Sequence, residues 1–523
     1  MRTVFLILTV AITFFSCRKE KTTWDSDWRV PLIQDSLTLH NLVKDSILAI
    51  NPDGSYHLVI NRDILNLSID SLLQLPDTSI FQKVVIAVSS LNVPPGISFI
   101  NQTESHEFEV DDLILKKVIL SSGQARIKLS SPIAAPTILT LTLPSVKKNN
   151  LVYTRTLDAP AGSLQNPSIL TETFDLAGYE IDLTGPNGNL FNIIQSQVAV
   201  RTDPNGPTIN VTNKDTVVFE VFFENLVPSY AQGYFGNQVF SDTTTFDFDL
   251  LNKIVAGTID IENTSLTLSL RNGLKSSARS RFTLVENTGV SGNTIALNHP
   301  EIGPWIFINQ ATGNWNSLVP SIHDILFTNS NSNIEPFIEN IPKFLKIGYA
   351  FELNPWGNTS GGWDEFFSSS QVTARLTADM PLAIGMTNLT YADTFNLKFE
   401  NNAANFALKE GNIEIQTHSS YSFDAGLQLL FLDQLDNVLV SKISNEKIKG
   451  ASSNTNNTSP QQIVQSKLVL SLSETEIKQL EQLDKIVVKA IFDTPQNGAI
   501  STFYEGQFIA FKLFTNLKLT TQL

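Results

Sequence analysis

Alternation of apolar and polar residues recurs along this chain and constrains its fold more than any other feature. The clearest runs are residues 138–143, 246–250, 266–270 and 468–472. A period of two puts successive side chains on opposite faces of a strand, so one face is buried and the other meets water. The abundance of Phe, 33 residues, also favours strands. We therefore predict a mainly β protein, with several antiparallel β-sheet modules, sandwich-like or curled, and a few short helices.

Three short helices are predicted to interrupt the strands. Ser473 and Glu476 form a capping box, and Ile477, Leu480 and Leu483 then fall on one helical face. A second helix is predicted from Ile334 to Leu345, capped by Asn333, and a third from Ile69 to Leu75. Each is followed by a short apolar run that begins with Lys, which suggests a recurring helix-to-strand unit.

A short motif, G-x-(I/A)-x-I-x-x-x-S, occurs three times and suggests duplicated units. The copies begin at Gly123, Gly257 and Gly411, and each leads into another alternating apolar run. Chance similarity between strands remains the alternative. With soft breaks near Pro160 and in residues 289–303, the prediction is three β modules, at residues 31–160, 161–300 and 301–523.

The N-terminal residues predict export and a lipid anchor. Met1-Arg2 precedes a mostly apolar run from Val4 to Phe15, which is long enough for a secretory signal but too short to span a membrane as a helix. Cys17, the only cysteine, follows directly. We predict a signal peptide at 1–16, acylation of Cys17 and a tether at 17–30. An ordinary signal peptide with a chance cysteine is the alternative.

Composition and motifs argue against several classes of function. The chain has 36 basic and 51 acidic residues and a net charge of −15, so nucleic acid is not an expected partner. Phosphate-cradling, dinucleotide-binding, serine-hydrolase and zinc-protease motifs are absent from the sequence. Asp25 and Asp27 offer too few ligands for calcium. We expect no catalytic residues, no metal and no cofactor, although a triad assembled from distant segments stays open.

The most promising ligand or partner site lies among four tryptophans between residues 305 and 363. They are Trp305, Trp315, Trp356 and Trp363. The last two flank a glycine-rich stretch that ends at Gly362, with Asp364 and Glu365 following. Exposed indoles on a loop can stack on sugar rings or anchor a partner protein. Packing of the loop onto a sheet is the alternative.

The start of the mature chain resembles lipoproteins of the Bacteroidota type whose function is unknown. The resemblance is carried by Thr23-Trp24-Asp25-Ser26-Asp27-Trp28-Arg29-Val30-Pro31-Leu32 soon after Cys17. It implies attachment to the bacterial outer membrane through acylated Cys17, with the periplasmic or cell-surface face undetermined. It implies no activity and no site residues.

Three functional hypotheses follow. The first is a non-enzymatic, membrane-anchored scaffold or interaction module with a protein partner in the envelope. The second is a carrier of lipid or another hydrophobic ligand in a curled β-sheet, which rests on analogy with tubular lipid-binding folds. The third is a glycan-binding surface lipoprotein that uses the four tryptophans.

Overall fold

The computed structural model describes residues 23–43, 48–110, 112–247, 253–396, 406–451, 462–495 and 499–522. The predicted signal peptide and Cys17 lie outside these residues, as do residues 452–461. The described chain is mainly β, built from several antiparallel sheets with short helices, as the alternation predicted. Among the described residues, no helix is long and apolar enough to cross a membrane.

The strands of the first half of the chain are β1 Thr23–Thr38, β2 Leu48–Ile50, β3 Tyr56–Ser68, β4 Thr78–Val84, β5 Leu91–Val93, β6 Ser98–Glu107, β7 Ile114–Ser131, β8 Thr137–Lys148, β9 Leu151–Ala159, β10 Ser168–Asp175, β11 Glu180–Asp182, β12 Ile193–Thr202, β13 Ile209–Val211, β14 Val217–Tyr234, β15 Gln238–Asp247 and β16 Ile254–Ile261. Those of the second half are β17 Ser265–Asn272, β18 Ala278–Gly289, β19 Thr294–Ala296, β20 Ile306–Ile308, β21 Ser321–Thr328, β22 Pro342–Leu353, β23 Asp364–Phe367, β24 Gln371–Pro381, β25 Ala383–Asn396, β26 Phe406–Ser419, β27 Asp424–Leu432, β28 Val438–Ile443, β29 Val464–Leu472, β30 Lys485–Asp493, β31 Ser501–Thr502 and β32 Phe508–Gln522. The helices are α1 Leu39–Leu42, α2 Ile69–Leu72, α3 Ile334–Glu339 and α4 Glu474–Gln479, followed by a 3₁₀ turn at Leu480–Gln482.

Two hydrophobic cores organise the sheets. The first core is shared by a ten-stranded sheet around β7 and β14 and by two five-stranded sheets. One of these, the β18 sheet, has the order β15-β22-β18-β19 with β20 also on β18, and the other has the order β2-β3-β24-β17-β21. The second core lies between the four-stranded sheet β1-β32-β26-β29 and the six-stranded sheet around β25, β30 and β27. Each core is the apolar side of alternating strands packed against another sheet.

The sheets combine segments from distant parts of the sequence. β1 pairs with β32 from Thr23↔Gln522 to Thr38↔Phe508. The predicted tether is therefore a strand from Thr23 onward, because β32 supplies a partner for its backbone groups. The ten-stranded sheet takes β9 and β10 from either side of residue 160. β16, from the second predicted module, pairs with β25 from the third.

The helices agree with the sequence patterns to different degrees. α4 has the predicted capping box: Ser473 accepts from the Glu476 amide at 3.4 Å, and Glu476 accepts from the Ser473 amide at 2.8 Å. α3 ends at Glu339 instead of Leu345, since Ile341 has a positive φ of 51° and Pro342 opens β22. Asn333 precedes α3, but its side chain accepts from the Asn298 amide and does not cap the helix.

The repeated glycines share a structural setting at two of their three positions. Gly123 in β7 lies opposite a bulge at Asn225 and Leu226 in β14, and Asn225 has a φ of 55°. Gly257 in β16 lies opposite the equivalent bulge at Asn388 and Leu389 in β25, and Asn388 has a φ of 51°. A Cβ on Gly257 would lie only 2.4 Å from the Asn388 carbonyl oxygen, so a side chain is excluded there.

The third copy of the motif also has a glycine opposite an Asn-Leu pair, but the neighbouring strand has no bulge there. Gly411 in β26 pairs with Leu517, and Asn412 pairs with Asn516 in unbroken register. The Asn516 amide donates to Asn412 Oδ1 at 2.8 Å. A glycine facing an Asn-Leu pair on the neighbouring strand is therefore common to all three copies.

Candidate functional site

The four tryptophans lie around a loop, residues 354–363, that joins β22 to β23. The structure places them in three groups. Trp356 stacks on Phe307, whose strand partner Arg279 lies over Trp305. Trp315 packs beside Tyr230, and Trp363 covers Lys116. Trp315, Trp356 and Trp363 have 45%, 56% and 63% of their surface exposed, whereas Trp305 is half-buried. The loop therefore presents indoles to solvent.

A buried polar network holds the base of this loop. Asn354 is 1% exposed, and its Oδ1 accepts hydrogen bonds from Ser276 Oγ at 2.7 Å and Ser277 Oγ at 3.1 Å. Its amide nitrogen donates to the Gly236 carbonyl at 3.3 Å. Asn354 has a φ of 49°, a conformation that asparagine tolerates better than most residues. A buried network with satisfied groups fixes one conformation of the loop.

Asp364 is buried at the other end of the loop, where the loop joins β23. It is 2% exposed, and burial raises the pKa of its carboxyl above the ordinary value, although hydrogen bonds with Ser360, Ser276 and Asn354 act to lower it. Ser360 Oγ also accepts from the Trp363 amide at 3.2 Å. The loop is thus fixed at both ends, and Trp356 and Trp363 project from a rigid base.

Trp356 and Phe307 form an exposed aromatic pair. Their ring centroids are 5.2 Å apart with an interplanar angle of 28°, and Phe307 is 60% exposed. Phe307 lies on β20 directly opposite Arg279 on β18. Large apolar side chains that stay exposed next to one another are uncommon on monomers and mark contact surfaces.

Two arginines flank Trp305 on the same sheet. The guanidinium carbons of Arg279 and Arg281 each lie 4.5 Å from the centre of the Trp305 ring. Arg279 is also paired with Glu352, through Nε at 2.7 Å and Nη2 at 2.6 Å. Burial opposes ionisation of Glu352, but hydrogen bonds from Asn237 and Arg279 outweigh it, so its pKa lies below the ordinary value. We call Trp305, Phe307, Trp356, Arg279 and Arg281 the aromatic face.

Trp315 belongs to a separate, mostly packed group. Its ring lies 5.7 Å from Tyr230 and 5.9 Å from Phe367. Tyr230 donates to Glu365 Oε1 at 2.7 Å, and Lys275 donates to the other oxygen of the same carboxylate. This arrangement is typical of loop packing, which the sequence left open as the alternative.

Trp363 and Phe191 cover a lysine that has no acidic partner among the described residues. Lys116 Nζ lies 3.4 Å from the Trp363 ring centre and 5.3 Å from that of Phe191. Lys116 is 9% exposed, and burial lowers its pKa. The ammonium is therefore covered by aromatic rings, and desolvation by this cover outweighs the attraction of the rings for its charge.

Among the described residues, Ser–His contacts do not form a catalytic arrangement. His106 Nε2 lies 2.6 Å from Ser196 Oγ, but Ser196 donates its own proton to Gln82 at 2.7 Å and is 2% exposed. In that network His106 donates to Ser196, so it does not act as a base. His323 contacts Glu301 at 3.2 Å and not the neighbouring Asp324.

One cluster of carboxylates could offer oxygens to a cation. Oxygens of Asp260, Glu335 and Glu339 lie within 4.8 Å of one another. Burial, with smaller contributions from Glu335 and Asp260, raises the pKa of Glu339. The three facing oxygens, one from each carboxylate, fall short of the six to eight that calcium takes, and Glu339 already accepts from the Ile261 amide at 3.2 Å.

An apolar cavity of about 100 Å³ lies where the two cores meet. Leu37, Ile60, Ile338, Leu382 and Phe503 are among its lining residues. A cavity of ~150 Å³ with a similar lining holds a benzene molecule. The volume here suits a small apolar group.

The sequence pointed to the loop but not to three of the five residues of the aromatic face. Phe307, Arg279 and Arg281 were not singled out, because an alternating Arg-Ser-Arg segment is typical of any wet strand face. Their proximity depends on the pairing of β18 with β20, which no local pattern encodes. Lys116 and Phe191 were missed for the same reason.

Comparison with known proteins identifies no relative. No family model matches the chain, and no curated protein matches it. A presumed secreted protein from Parabacteroides distasonis is similar over 95% of this chain and 100% of its own, with 9% identity and a TM-score of 0.26. A peptide-N(4)-(N-acetyl-β-D-glucosaminyl)asparagine amidase is similar over 59% of this chain and 100% of its own, with 11% identity and a TM-score of 0.15. These scores are too low to support an argument about function.

Proposed function

We propose that this chain is a lipid-anchored, non-enzymatic binding protein of the bacterial outer membrane, and that the aromatic face is its recognition surface. The observation that carries the proposal is the exposed pair formed by Phe307 on β20 and Trp356. Trp356 lies on the loop that the buried side chains of Asn354 and Asp364 fix. Catalysis forms no part of it, because the site has aromatic and guanidinium groups but no nucleophile paired with a base.

Rigid presentation of aromatic side chains favours binding. Trp and Arg are the side chains most enriched at binding hot spots, and both are present on the aromatic face. A ligand that stacks on Trp356 and Phe307 covers apolar surface without having to order the loop, so less conformational entropy is lost on association. The same indoles on a mobile loop would bind more weakly.

The predicted anchor and the path of β1 are consistent with display away from a membrane. β1 begins at Thr23, six residues after Cys17, so acylation of Cys17 would hold this end of the four-stranded sheet near the lipid. The 16 residues of β1 then extend roughly 50 Å to Thr38, near the junction of the two cores. The aromatic face belongs to the first core, beyond that junction.

Site-specific photo-cross-linking in a host of the protein's own type tests the recognition surface. A photoreactive residue replaces Thr359, which is exposed on the loop, or Leu435, which is 82% exposed on the β27–β28 turn of the second core. We expect specific cross-linked products from position 359 and their loss when Trp356→Ala is added. Equal products from both positions, or products that survive Trp356→Ala, would refute the proposed surface.

Metabolic labelling tests the anchor separately. Labelled palmitate should be incorporated into the wild-type chain and not into Cys17→Ala, with both chains expressed at similar levels. Incorporation that persists in Cys17→Ala would exclude Cys17 as the acylated residue. Neither result depends on the aromatic face.

A further inference from the structure

Arg281 differs from the other arginine of the aromatic face because it forms no direct ion pair among the described residues, although its charge helps to lower the pKa of Glu352. Arg279 is held by Glu352, which receives a further hydrogen bond from Asn237 at 3.0 Å. Within the described part of the chain, Arg281 makes no side-chain hydrogen bond or ion pair, and its buried Nε has no acceptor. The buried Nε is out of reach of a ligand, but the terminal nitrogens of the guanidinium are available for charge-assisted hydrogen bonds to an incoming acceptor.

Stacking on Trp305 restricts the orientation of the Arg281 guanidinium. The stack at 4.5 Å restrains Arg281 on the outer side of the β18 sheet. A planar guanidinium held in this way can give two parallel hydrogen bonds to a carboxylate, which a lysine cannot do. The net charge of −15 makes long-range attraction of anions unfavourable, so selectivity would depend on this local donor set.

An exposed hydroxyl group lies in the strand row of Arg281. Arg281 pairs with Ala350 on β22, and Ala350 pairs with Ser241 on the edge strand β15. Ala350 is buried, so Ser241 is the residue of the two that a ligand can contact. Phe307 lies opposite Arg279, two residues before Arg281, so its ring is separated from Arg281 by about 7 Å along the strand. A ligand of one or two six-membered rings can contact both.

We propose that the aromatic face binds a carboxylated glycan, with a sugar ring on Trp356 and Phe307 and the carboxylate on Arg281. This rests on the proposed function and specifies its ligand class. Aromatic rings supply apolar contact for the sugar face, and the guanidinium supplies charge-assisted hydrogen bonds. A protein partner would also use the aromatic pair but does not require a carboxylate at Arg281.

A glycan array tests the inference with the full mature chain carrying Cys17→Ala. The array presents uronate and sialate oligosaccharides beside their carboxyl-reduced forms, and affinities of the best pair follow by titration. We expect acidic forms to bind at least tenfold more tightly than reduced forms. Arg281→Gln should abolish that preference, since a hydrogen bond to a charged group is worth about tenfold or more. Arg281→Lys should restore part of it.

Two controls separate specific from general effects. Arg375→Gln removes a half-exposed arginine that is paired with Asp63 on the β24–β3 ladder, and it should leave binding unchanged. Trp356→Ala should weaken binding of acidic and reduced glycans alike.

The outcomes also distinguish the two proposals. Absence of any acidic glycan signal, or an acid preference that survives Arg281→Gln, overturns the carboxylated-glycan inference. If Trp356-dependent cross-links at position 359 persist in that case, the recognition surface stands with a protein partner. If those cross-links are absent as well, the proposed function fails.

Discussion

Replacement of Asn354 tests whether the loop is fixed from below. Asn354→Ala removes the buried hydrogen bonds that its side chain accepts from Ser276 and Ser277, and their loss costs about 2 kcal/mol. Alanine at a φ of 49° adds about 1 kcal/mol. We therefore expect opening of the loop to become easier by about 3 kcal/mol, which corresponds to roughly 100-fold faster exchange of protected amides.

Native-state hydrogen exchange measures this opening directly. The informative amides are those of Gly357, Gly362 and Trp363, which donate to Asn354 O, Asn358 Oδ1 and Ser360 Oγ. Asn354→Gly is the matched variant, because it loses the same side chain but tolerates positive φ, and its effect should be about fivefold smaller. Unchanged exchange in Asn354→Ala, or equal exchange in the two variants, would refute the argument.

Other outcomes follow from single contacts. Gly257→Ala, at a φ of 104° with backbone atoms 2.4 Å from the new Cβ, should lower the free energy of unfolding in urea by more than about 2 kcal/mol. The control Gly292→Ala, at a φ of 83° with open space around the new Cβ, should lower it by only about 1 kcal/mol. Equal losses would contradict the steric explanation. Because the pKa of Glu339 is raised in the folded protein, folding favours its protonated form. The stability that this form gives is fully present below the pKa of the unfolded chain and is lost as pH rises through the pKa of the folded protein. Glu339→Gln should therefore gain up to about 1 kcal/mol over wild type at pH 7 and nothing below pH 4, and a loss at pH 7 would contradict this. Trp363→Ala should raise the pKa of Lys116 towards its ordinary value, seen by NMR titration of the labelled ammonium; no rise would mean that Trp363 does not cause the burial.

Local patterns in the sequence were enough to predict the fold class. The alternating run at residues 138–143 lies within β8, and the run at 468–472 lies within β29. The capping box at Ser473 marked the start of α4. These features depend on neighbouring residues, whose spacing fixes which side chains share a face.

Pairing between distant strands could not be predicted in the same way. Nothing local shows that Thr23 aligns with Gln522, because many alternating strands offer similar edges and registers. The helix predicted from Ile334 to Leu345 is present but ends at Glu339 for a related reason, because the residues from Pro342 onward belong to β22, which pairs with β15 and β18. Tertiary pairing outweighed a local apolar pattern.

The candidate site was predictable to the extent that it is local. The glycine-rich loop with Trp356 and Trp363 was visible in the sequence, and its exposure supports the choice. The contact between Phe307 and Trp356 was not visible, since these residues are separated by a strand, a helix and another strand. Arg281 is a candidate only because it forms no direct ion pair among the described residues, and the sequence alone does not show this.

Hydroxyl-radical footprinting in intact cells and on purified protein tests the central claim most directly. If the aromatic face is occupied in the envelope, Trp356 and Phe307 should be oxidised several-fold more slowly in cells than in isolation. Leu435, exposed on the second core, should react similarly in both samples once the dose is normalised. Equal oxidation of Trp356 and Phe307 in cells and in isolation would contradict the account of this face as a recognition surface.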